Sequence, residues 1–269
     1  MVQDDVSQIS ILATIVLYNE KLESSDTWQT LQIGTPSYVS WLIINNGPSS
    51  IILPPDFRGE YYEDLSNSGL AVAYKKALVY AQERTLSHLL FLDQDTTFPA
   101  EFWGLQNKCI MRNHNMALYL PTVYGAKNML SPLRIKRGIG KAVMAKELPE
   151  TILFQNYSFI NSGALFSVKD LVEVWDDSIT DLFLDNVDHA IAYNLGVHKK
   201  EALWFAADIK QSYSGDSADR EQILRRFKAW VDDALVFGKI SSTSLWQRYN
   251  IVRRRIRFFL IFRDWRFLQ

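Results

Sequence analysis

The stretch Leu90-Phe91-Leu92-Asp93-Gln94-Asp95-Thr96-Thr97 decides how this chain is expected to fold. Its apolar part runs directly into two aspartates, as happens where a buried parallel strand ends, and ligands of open α/β sheets bind just beyond such strand ends. Because side chains alternate along a strand, Asp93 and Asp95 are expected to point the same way, with Gln94 opposite. Two carboxylates on one side suit Mg²⁺ or Mn²⁺, especially when a ligand diphosphate completes the shell. The alternative is a pair of solvated carboxylates that cap the next helix.

The composition is ordinary for a soluble globular protein and argues against several classes of function. The 269 residues are 48% hydrophobic and 22% charged, enough for one large or two small domains. A net charge of -1 gives no electrostatic reason to expect a nucleic-acid partner. The single cysteine, Cys109, excludes an intrachain disulfide framework and a Cys-rich metal site, and we interpret it as a buried structural thiol.

The N-terminal residues and the apolar runs predict a cytoplasmic location. Met1-Val2-Gln3-Asp4-Asp5 is acidic, unlike the basic start of a signal peptide. No apolar run approaches the length that spans a bilayer.

Strand and helix patterns alternate along most of the chain. Strands are expected at 9–17, 38–44, 89–92, 116–123, 158–168 and 203–209, and helices at 21–32, 70–84, 99–113, 170–175 and from about 188 to 196. Residues 51–64 are expected to be irregular. This order predicts an α/β fold with a mainly parallel sheet and helices on both faces.

Polar residues follow several of these strands. Tyr18 and Asn19 could stack on and hydrogen-bond a base, or form a turn, and Asn45-Asn46-Gly47 is a strong turn signal. Ser66, Asn67 and Ser68 are candidate N-caps of the helix at 70–84, whose N-terminus could hold an anion.

Further candidates lie in the second half of the chain. Gly163 falls inside a predicted strand, where glycine often marks the close approach of a ligand or of backbone. Asp185 and Asp188 could cap the following helix, or one could face a pocket as a general base. The segment 125–146 could close over a diphosphate or be a solvated loop; its basic residues are Lys127, Arg134, Lys136, Arg137, Lys141 and Lys146.

The C-terminal segment combines arginines with aromatic and aliphatic residues. Residues 225–236 look helical, and residues 246–268 carry seven arginines among large apolar side chains. Such a segment suits binding to an anionic membrane surface, and it equally suits a packing helix with a basic solvent side.

Six motifs occur along the chain in this order: Tyr18-Asn19, Asn45-Asn46-Gly47, Asn67-x-Gly69-x-Ala71-x-Ala73, Asp93-Gln94-Asp95-Thr96, Asn161-Ser162-Gly163 and Phe183-Leu184-Asp185-x-Val187-Asp188. Their order and spacing resemble the family 2 glycosyltransferases of the GT-A fold. The Asp-Gln-Asp-Thr and Phe-Leu-Asp-x-Val-Asp forms are most similar to bacterial rhamnosyltransferases. The resemblance covers roughly residues 9 to 216, with a weaker similarity in Arg248-Tyr249-Asn250-x-x-Arg253.

The resemblance implies a GT-A (Rossmann-like) domain, which we expect over residues 1–222. From their composition, we expect residues 223–269 to form a helical tail that could bind a membrane peripherally. It implies a nucleotide-sugar donor, with Tyr18 and Asn19 at the base and Asn67 at the ribose or diphosphate. The end of the second strand, at Asn45, would also meet the nucleotide. Asp93 would contact the ribose side.

The same resemblance implies the reacting groups. Asp95, with Asp93, would bind Mg²⁺ or Mn²⁺, and Asp188 would deprotonate the acceptor hydroxyl. Asn161, Gly163 and Asp185 would line the sugar and acceptor site. The implied reaction is an inverting transfer of a sugar, with rhamnose from dTDP-rhamnose as first choice, to a bacterial surface glycan or a lipid-linked intermediate.

This chain departs from the family pattern at several positions. Asn45 stands where a carboxylate commonly meets the base, and Lys75 where a helix usually carries Asn. Ala190 replaces an acidic residue, and the arginine that usually follows is missing. Ser212 stands where a metal-binding His is common. Metal binding could therefore be weaker here, or the donor different.

Two rival interpretations remain open. The departures fit a non-catalytic sugar-nucleotide-binding protein built on a transferase fold. The Asp-x-Asp-x-Thr signature also fits phosphatases of the haloacid dehalogenase type, where the first aspartate is a nucleophile beside Mg²⁺. Against that second alternative, the motif follows several β/α units here, whereas in those phosphatases it normally belongs to the first strand.

Overall fold

The computed structural model describes residues 9–126, 128–136, 139–212 and 219–269. Within these ranges the strands are β1 Ile11–Leu17, β2 Val39–Asn45, β3 Glu60–Glu63, β4 His88–Asp93, β5 Thr96–Thr97, β6 Leu118–Tyr124, β7 Met129–Ser131, β8 Leu133–Lys136, β9 Ile139–Ala142, β10 Thr151–Leu153, β11 Tyr157–Ser158, β12 Ala164–Ser167 and β13 Glu201–Gln211. The α-helices are α1 Asp26–Leu31, α2 Leu70–Glu83, α3 Phe102–Arg112, α4 Val168–Val174, α5 Val187–Val197, α6 Arg220–Ile240 and α7 Ser244–Phe262.

The main sheet is mainly parallel, as predicted. Its strand order is β10-β13-β6-β12-β4-β1-β2-β3, with β5 added to β13 and β7 to β6. β1 pairs in parallel with both β2 and β4, and β13 pairs in parallel with β6. β12 lies antiparallel between β4 and β6. The carboxyl ends of β1, β2 and β4 therefore meet at one edge of the sheet.

Helices cover both faces of this sheet, which confirms the predicted layers. The alternation of side chains in β1 shows why: Leu12 and Val16 pack with α2, α4 and α5, whereas Ile11, Ala13 and Ile15 pack with α1 and α3. Cys109 of α3 is a buried free thiol, as expected.

Three predicted segments are subdivided in the structure. Residues 21–32 form a 3₁₀ turn, Leu22–Ser24, followed by α1, because the Ser25 side chain accepts a hydrogen bond from the Trp28 backbone N–H. The segment 51–64 contains β3, an edge strand whose partly exposed residues give no apolar run. The segment 125–146 was expected to be a loop, but it contains the strands β7, β8 and β9. Lys127 and Arg137 lie outside the described residues.

The predicted strand at 158–168 is divided, and Gly163 is not inside a strand. Gly163 precedes β12 with a φ of 82°. A Cβ atom there would lie 2.8 Å from Cδ1 of Ile209 and 2.9 Å from Cγ of Pro121. Its backbone conformation and the close approach of these protein side chains are therefore enough to require glycine here, and its contact with a ligand stays a prediction.

The C-terminal segment forms a helical hairpin, α6 and α7, followed by a 3₁₀ turn, Trp265–Leu268. Its own apolar cluster contains Leu224, Phe227, Val231, Ala234, Ile251 and Phe267. Val236, Phe237 and Ile240 of α6 pack against the main core instead. Because α6 begins at Arg220, the predicted boundary between 222 and 223 falls inside its first turn. No helix in the described ranges is long and apolar enough to cross a membrane.

Candidate active site

Asp93 ends β4 and lies within a network of polar side chains. The Tyr74 hydroxyl donates to its Oδ1 at 3.3 Å, and Gln211 Nε2 donates to its Oδ2 at 3.0 Å. The Thr27 hydroxyl donates to its carbonyl oxygen. Tyr74 of α2 and Gln211 of β13 thus hold the Asp93 carboxylate at the carboxyl edge of the sheet, and Thr27 of α1 holds its backbone.

Gln94 points away from the two aspartates and joins β4 to the end of β1. Its Oε1 accepts from the Tyr18 backbone N–H at 2.7 Å, and its Nε2 donates to the Tyr18 carbonyl at 3.3 Å. The Tyr18 side chain is 50% exposed and Asn19 has a φ of 54°. These bonds place the Tyr18-Asn19 turn beside the Asp-Gln-Asp stretch, with the Tyr18 ring open to a ligand.

Burial and mutual repulsion shift the titration of the acidic residues here. Burial, with the charges of Asp95 and Asp188, raises the pKa of Asp93 to about 7. Burial also raises the pKa of Asp95, partly offset by a hydrogen bond from Gln211 and the charge of Arg226. Burial raises the pKa of Asp185 as well, again with a contribution from Asp188. The charge of Asp188 thus acts on both Asp93 and Asp185, and that of Asp95 acts on Asp93. Coupled carboxylates of this kind are frequent in functional sites.

Asn45 and Asn46, at the end of β2, are buried. The Asn45 amide is used internally: Nδ2 donates to the Ser49 carbonyl at 2.9 Å, and Oδ1 accepts from the Gly47 N–H at 2.9 Å. Asn46 Nδ2 donates to the Gly69 carbonyl at 3.1 Å, whereas its buried Oδ1 has no protein partner. Asn45 shapes this turn, and its contact with a base stays a prediction.

The N-terminus of α2 is capped differently from the expectation. None of Ser66, Asn67 and Ser68 caps it, because Gly69 is the N-cap residue and the Leu70 N–H donates to the Phe183 carbonyl at 2.6 Å. This first N–H is therefore not free for an anion. Beside it opens a cleft of about 240 Å³, lined by Ile44, Asn46, Tyr62, Asp64, Ser66, Ser68, Val72, Ala73 and Lys76.

The segment Phe183–Asp188 crosses between α2 and α6. Asp188 lies in the first turn of α5, with its Oδ1 accepting from the His189 N–H at 2.7 Å. Neither Asp185 nor Asp188 is the N-cap of α5, which is Asn186 with a φ of 65°. Asp185 Oδ2 and Asn186 Nδ2 are buried without a protein partner.

The Asn161-Ser162-Gly163 segment supports the end of β4. The Ser162 hydroxyl hydrogen-bonds the Thr96 hydroxyl at 2.7 Å and accepts from the Asp93 N–H at 3.4 Å. Asn161 is 3% exposed, and its Oδ1 has no protein partner. Together with Asp185, this gives several buried polar atoms that a bound polar ligand could satisfy.

Sequence reasoning missed Tyr74, Gln211 and Asp233. Tyr74 and Gln211 contact Asp93 only through tertiary structure, and no local pattern marks them. Asp233 of α6 accepts hydrogen bonds from the backbone N–H groups of residues 183–185. It does leave a signal in the sequence, because it is a charged residue on the side of α6 that also carries Trp230 and Phe237.

Comparison with solved structures identifies proteins of the same fold, which are glycosyltransferases of the GT-A type. The chain matches S. aureus TarS 1–349 with a TM-score of 0.54 and 13% identity, over 91% of this chain and 73% of that one. It matches GalNAc-T7, solved with UDP, GalNAc and Mn²⁺, with a TM-score of 0.55 and 12% identity, over 91% of this chain and 55% of that one. No protein-family model and no curated protein matches this chain significantly. At such low identity the likeness shows the fold, which is GT-A.

Proposed function

We propose that this protein is an inverting glycosyltransferase that uses a nucleotide-sugar donor. The observation that carries the proposal is the convergence of Asp93, Asp95, Asp185 and Asp188 at the carboxyl edge of a GT-A sheet, beside the exposed Tyr18 ring. Ligands of open α/β sheets bind at this edge.

The donor would lie across the ends of β1, β2 and β4. Tyr18 would stack on the base, next to Asn19 and the Asn45 turn. Asn67 would lie near the ribose or diphosphate, and Asp93 near the ribose. The unpartnered Oδ1 of Asn46 is an acceptor that a base N–H could satisfy.

A divalent cation fits this arrangement only when the donor supplies part of its shell. No group of three or more His, Cys, Asp or Glu side chains in the described ranges could hold a metal ion by itself. Asp95 and Asp93 provide hard oxygen ligands, and Gln211 beside them has a buried, unpartnered Oε1. Mg²⁺ and Mn²⁺ accept such oxygens together with substrate phosphates. Bound there, the cation would stabilise charge on the leaving diphosphate.

Asp188 would act as the general base. The acceptor hydroxyl oxygen forms a bond to the anomeric carbon while the bond from that carbon to the diphosphate oxygen breaks. The bonding electron pair leaves with the diphosphate, and the hydroxyl proton passes to the Asp188 carboxylate. A single displacement of this kind inverts the anomeric centre. Asp185, Asn161 and Gly163 would belong to the sugar and acceptor side.

The proposal also names the sugar nucleotide that serves as donor. The motif resemblance favours dTDP-rhamnose and a surface glycan or lipid-linked acceptor. The neighbour TarS has been solved with UDP-GlcNAc, which makes a uridine donor the alternative to test.

A thermal-shift panel of thymidine, uridine, guanosine and cytidine diphosphates and their sugars, with and without Mn²⁺, tests donor binding. A ligand that binds only the folded protein raises Tm in proportion to the logarithm of its excess over Kd. We expect one nucleotide family to raise Tm. No shift with any nucleotide would contradict the proposal, and release of phosphate from an aryl phosphate would then favour the phosphatase alternative.

Two variants then test the assigned chemistry. Asp188→Asn retains a hydrogen-bond acceptor for the His189 N–H but removes the general base. We therefore expect the rate of sugar transfer, or of donor hydrolysis, to fall about 100-fold or more, while donor binding stays unchanged. Asp95→Ala should remove the Mn²⁺-dependent part of the Tm shift. Asp181→Asn, at an exposed position, is the control. Wild-type turnover by Asp188→Asn would overturn its role as base.

The proposal includes peripheral membrane association through α7. One face of this helix is apolar and exposed; it comprises Leu245, Tyr249, Val252, Ile256 and Leu260, which are between 50% and 83% exposed. Their spacing of three or four residues places them on one side of the helix. Ile251, on the opposite side, is buried against α6.

The charges around this apolar face favour an anionic bilayer over a second copy of the chain. Arg248, Arg253 and Arg257 are exposed beside it. Asp264, the single acidic residue from 244 to 269, pairs with Arg266. Two such faces would bring like charges together, whereas anionic headgroups would neutralise them.

Vesicle co-sedimentation tests this face directly. Wild-type protein should sediment with phosphatidylglycerol vesicles, less in high salt, and not with phosphatidylcholine alone. Ile256→Glu should weaken binding, whereas Ile52→Glu, at a position that is 91% exposed elsewhere, should not. Equal binding by both variants would refute the assignment, as would dimer formation through this face without vesicle binding.

A further inference from the structure

Asp233 is a buried acid in α6 whose two carboxylate oxygens accept hydrogen bonds from one loop, residues 183–185. Its side chain is 2% exposed. Its Oδ1 accepts from the Phe183 N–H at 2.7 Å, and its Oδ2 accepts from the N–H groups of Leu184 at 2.9 Å and Asp185 at 2.6 Å. Three consecutive backbone donors therefore converge on one carboxylate.

The same loop is held from its other side by α2. The Phe183 carbonyl accepts the Leu70 N–H, and a Cβ atom on Gly69 would lie 2.5 Å from that carbonyl oxygen. Gly69 has a φ of 100°, so glycine meets both the conformation and the close approach. The loop is thus fixed between the N-terminus of α2 and the middle of α6.

The loop leads directly to the carboxylates of the proposed site. Asp185 is the last of the three donors, and Asp188 follows three residues later, in the first turn of α5. A buried carboxylate is costly unless hydrogen bonds stabilise it. Burial raises the pKa of Asp233, and the three backbone hydrogen bonds oppose that shift.

We propose, on the basis of the proposed function, that Asp233 is a positioning residue that sets the place of Asp185 and Asp188 for sugar transfer. It touches neither donor nor acceptor, and it acts through the backbone of residues 183–185. The C-terminal hairpin is then part of the catalytic structure, because its first helix holds the loop that carries the base.

The test compares Asp233→Asn with Asp232→Asn, its exposed neighbour on α6. Asn keeps the shape but turns an N–H₂ group toward at least one of the three N–H donors. The measured reaction is hydrolysis of the donor, and the substrate is the sugar nucleotide that raises Tm most. Its rate is measured as the release of nucleoside diphosphate. We expect kcat to fall at least 10-fold in Asp233→Asn, with donor KM and the nucleotide-induced Tm shift within about twofold of wild type. Asp232→Asn should match wild type.

Several outcomes would overturn the proposal. An unchanged kcat in Asp233→Asn would do so, and so would a parallel loss of kcat and donor binding, which indicates a structural role. Amide hydrogen exchange provides a check that needs no variant and no turnover: the amides of 183–185 should be protected in the wild-type protein, and exchange at unprotected rates would refute the geometry. Absence of any nucleotide shift or turnover in wild type would instead count against the proposed function, while the exchange result still reports on Asp233.

Discussion

His88 opens β4 with its ring almost completely buried. Its Nδ1 lies 2.9 Å from the Ser87 hydroxyl, and burial lowers the pKa of His88 to about 4, with the charge of Asp170 opposing the shift. The folded state therefore resists protonation at pH values where the unfolded chain, with a pKa of 6.5, accepts it. His88 thus makes stability rise with pH from about 4 to about 6.5 and leaves it constant above.

We expect His88→Gln to remove that part of the pH dependence. The shift corresponds to about 3 kcal/mol at most, lost on acidification through this window. Urea unfolding at pH 4.5, 5.5, 6.5 and 7.5 gives the unfolding free energy as a function of pH. The contribution of His88 is the difference between the slopes of this dependence in wild type and variant. His114→Gln, at an exposed position, should keep the wild-type slope. Identical slopes in all three proteins would contradict the assignment to His88.

Gly163 is required by packing, so alanine there should destabilise the fold. The φ of 82° and the contacts of an added Cβ with Ile209 and Pro121 together predict a loss of about 1–3 kcal/mol in unfolding free energy. Gly104→Ala is the matched control, because nothing lies within 4 Å of its added Cβ in α3, and it should stabilise by about 0.5–1 kcal/mol. Equal effects, measured by urea unfolding, would count against this explanation of Gly163.

At the scale of elements, the C-terminal hairpin depends on one aromatic cluster. Phe267 is fully buried, with its ring centroid 5.6 Å from Phe227, 5.4 Å from Phe258 and 5.2 Å from Phe262. We expect Phe267→Ala to cost about 3–5 kcal/mol and to accelerate amide exchange in α7. Leu268→Ala, at a position that is 44% exposed, should change stability by no more than about 0.5 kcal/mol. Unchanged exchange in α7 would mean that the cluster does not hold the hairpin.

At the scale of the whole molecule, α6 connects the hairpin to the sheet domain. Phe227 packs in the C-terminal cluster, whereas Phe237 packs against the main core, and Asp233 between them binds the loop at 183–185. We therefore expect one cooperative thermal transition, with equal calorimetric and van't Hoff enthalpies. Two separate transitions would instead support an independent tail over residues 223–269.

The elements predicted well are those whose sequence pattern is local. β1, β2 and β4 are buried apolar runs that end in polar residues, and α2 is a long helix rich in alanine. Asp93 and Asp95 were found because a strand end followed by two carboxylates is visible in a few consecutive residues. The parallel sheet, its two helical layers and the edge that holds the candidate site follow from these patterns.

The sequence by itself therefore determined the order of strands and helices and the main acidic residues of the candidate site. Only the tertiary structure decided how these residues are held, because the partners come from distant parts of the chain. Gln211 reaches Asp93, the Phe183 carbonyl caps α2, and Asp233 binds a loop 50 residues away in sequence. The same holds for Gly163, since its neighbours Pro121 and Ile209 approach it only when β6, β12 and β13 have assembled. A local pattern records the burial of a residue and the strand or helix it favours, whereas the identity of its partner depends on chain segments that only folding brings together.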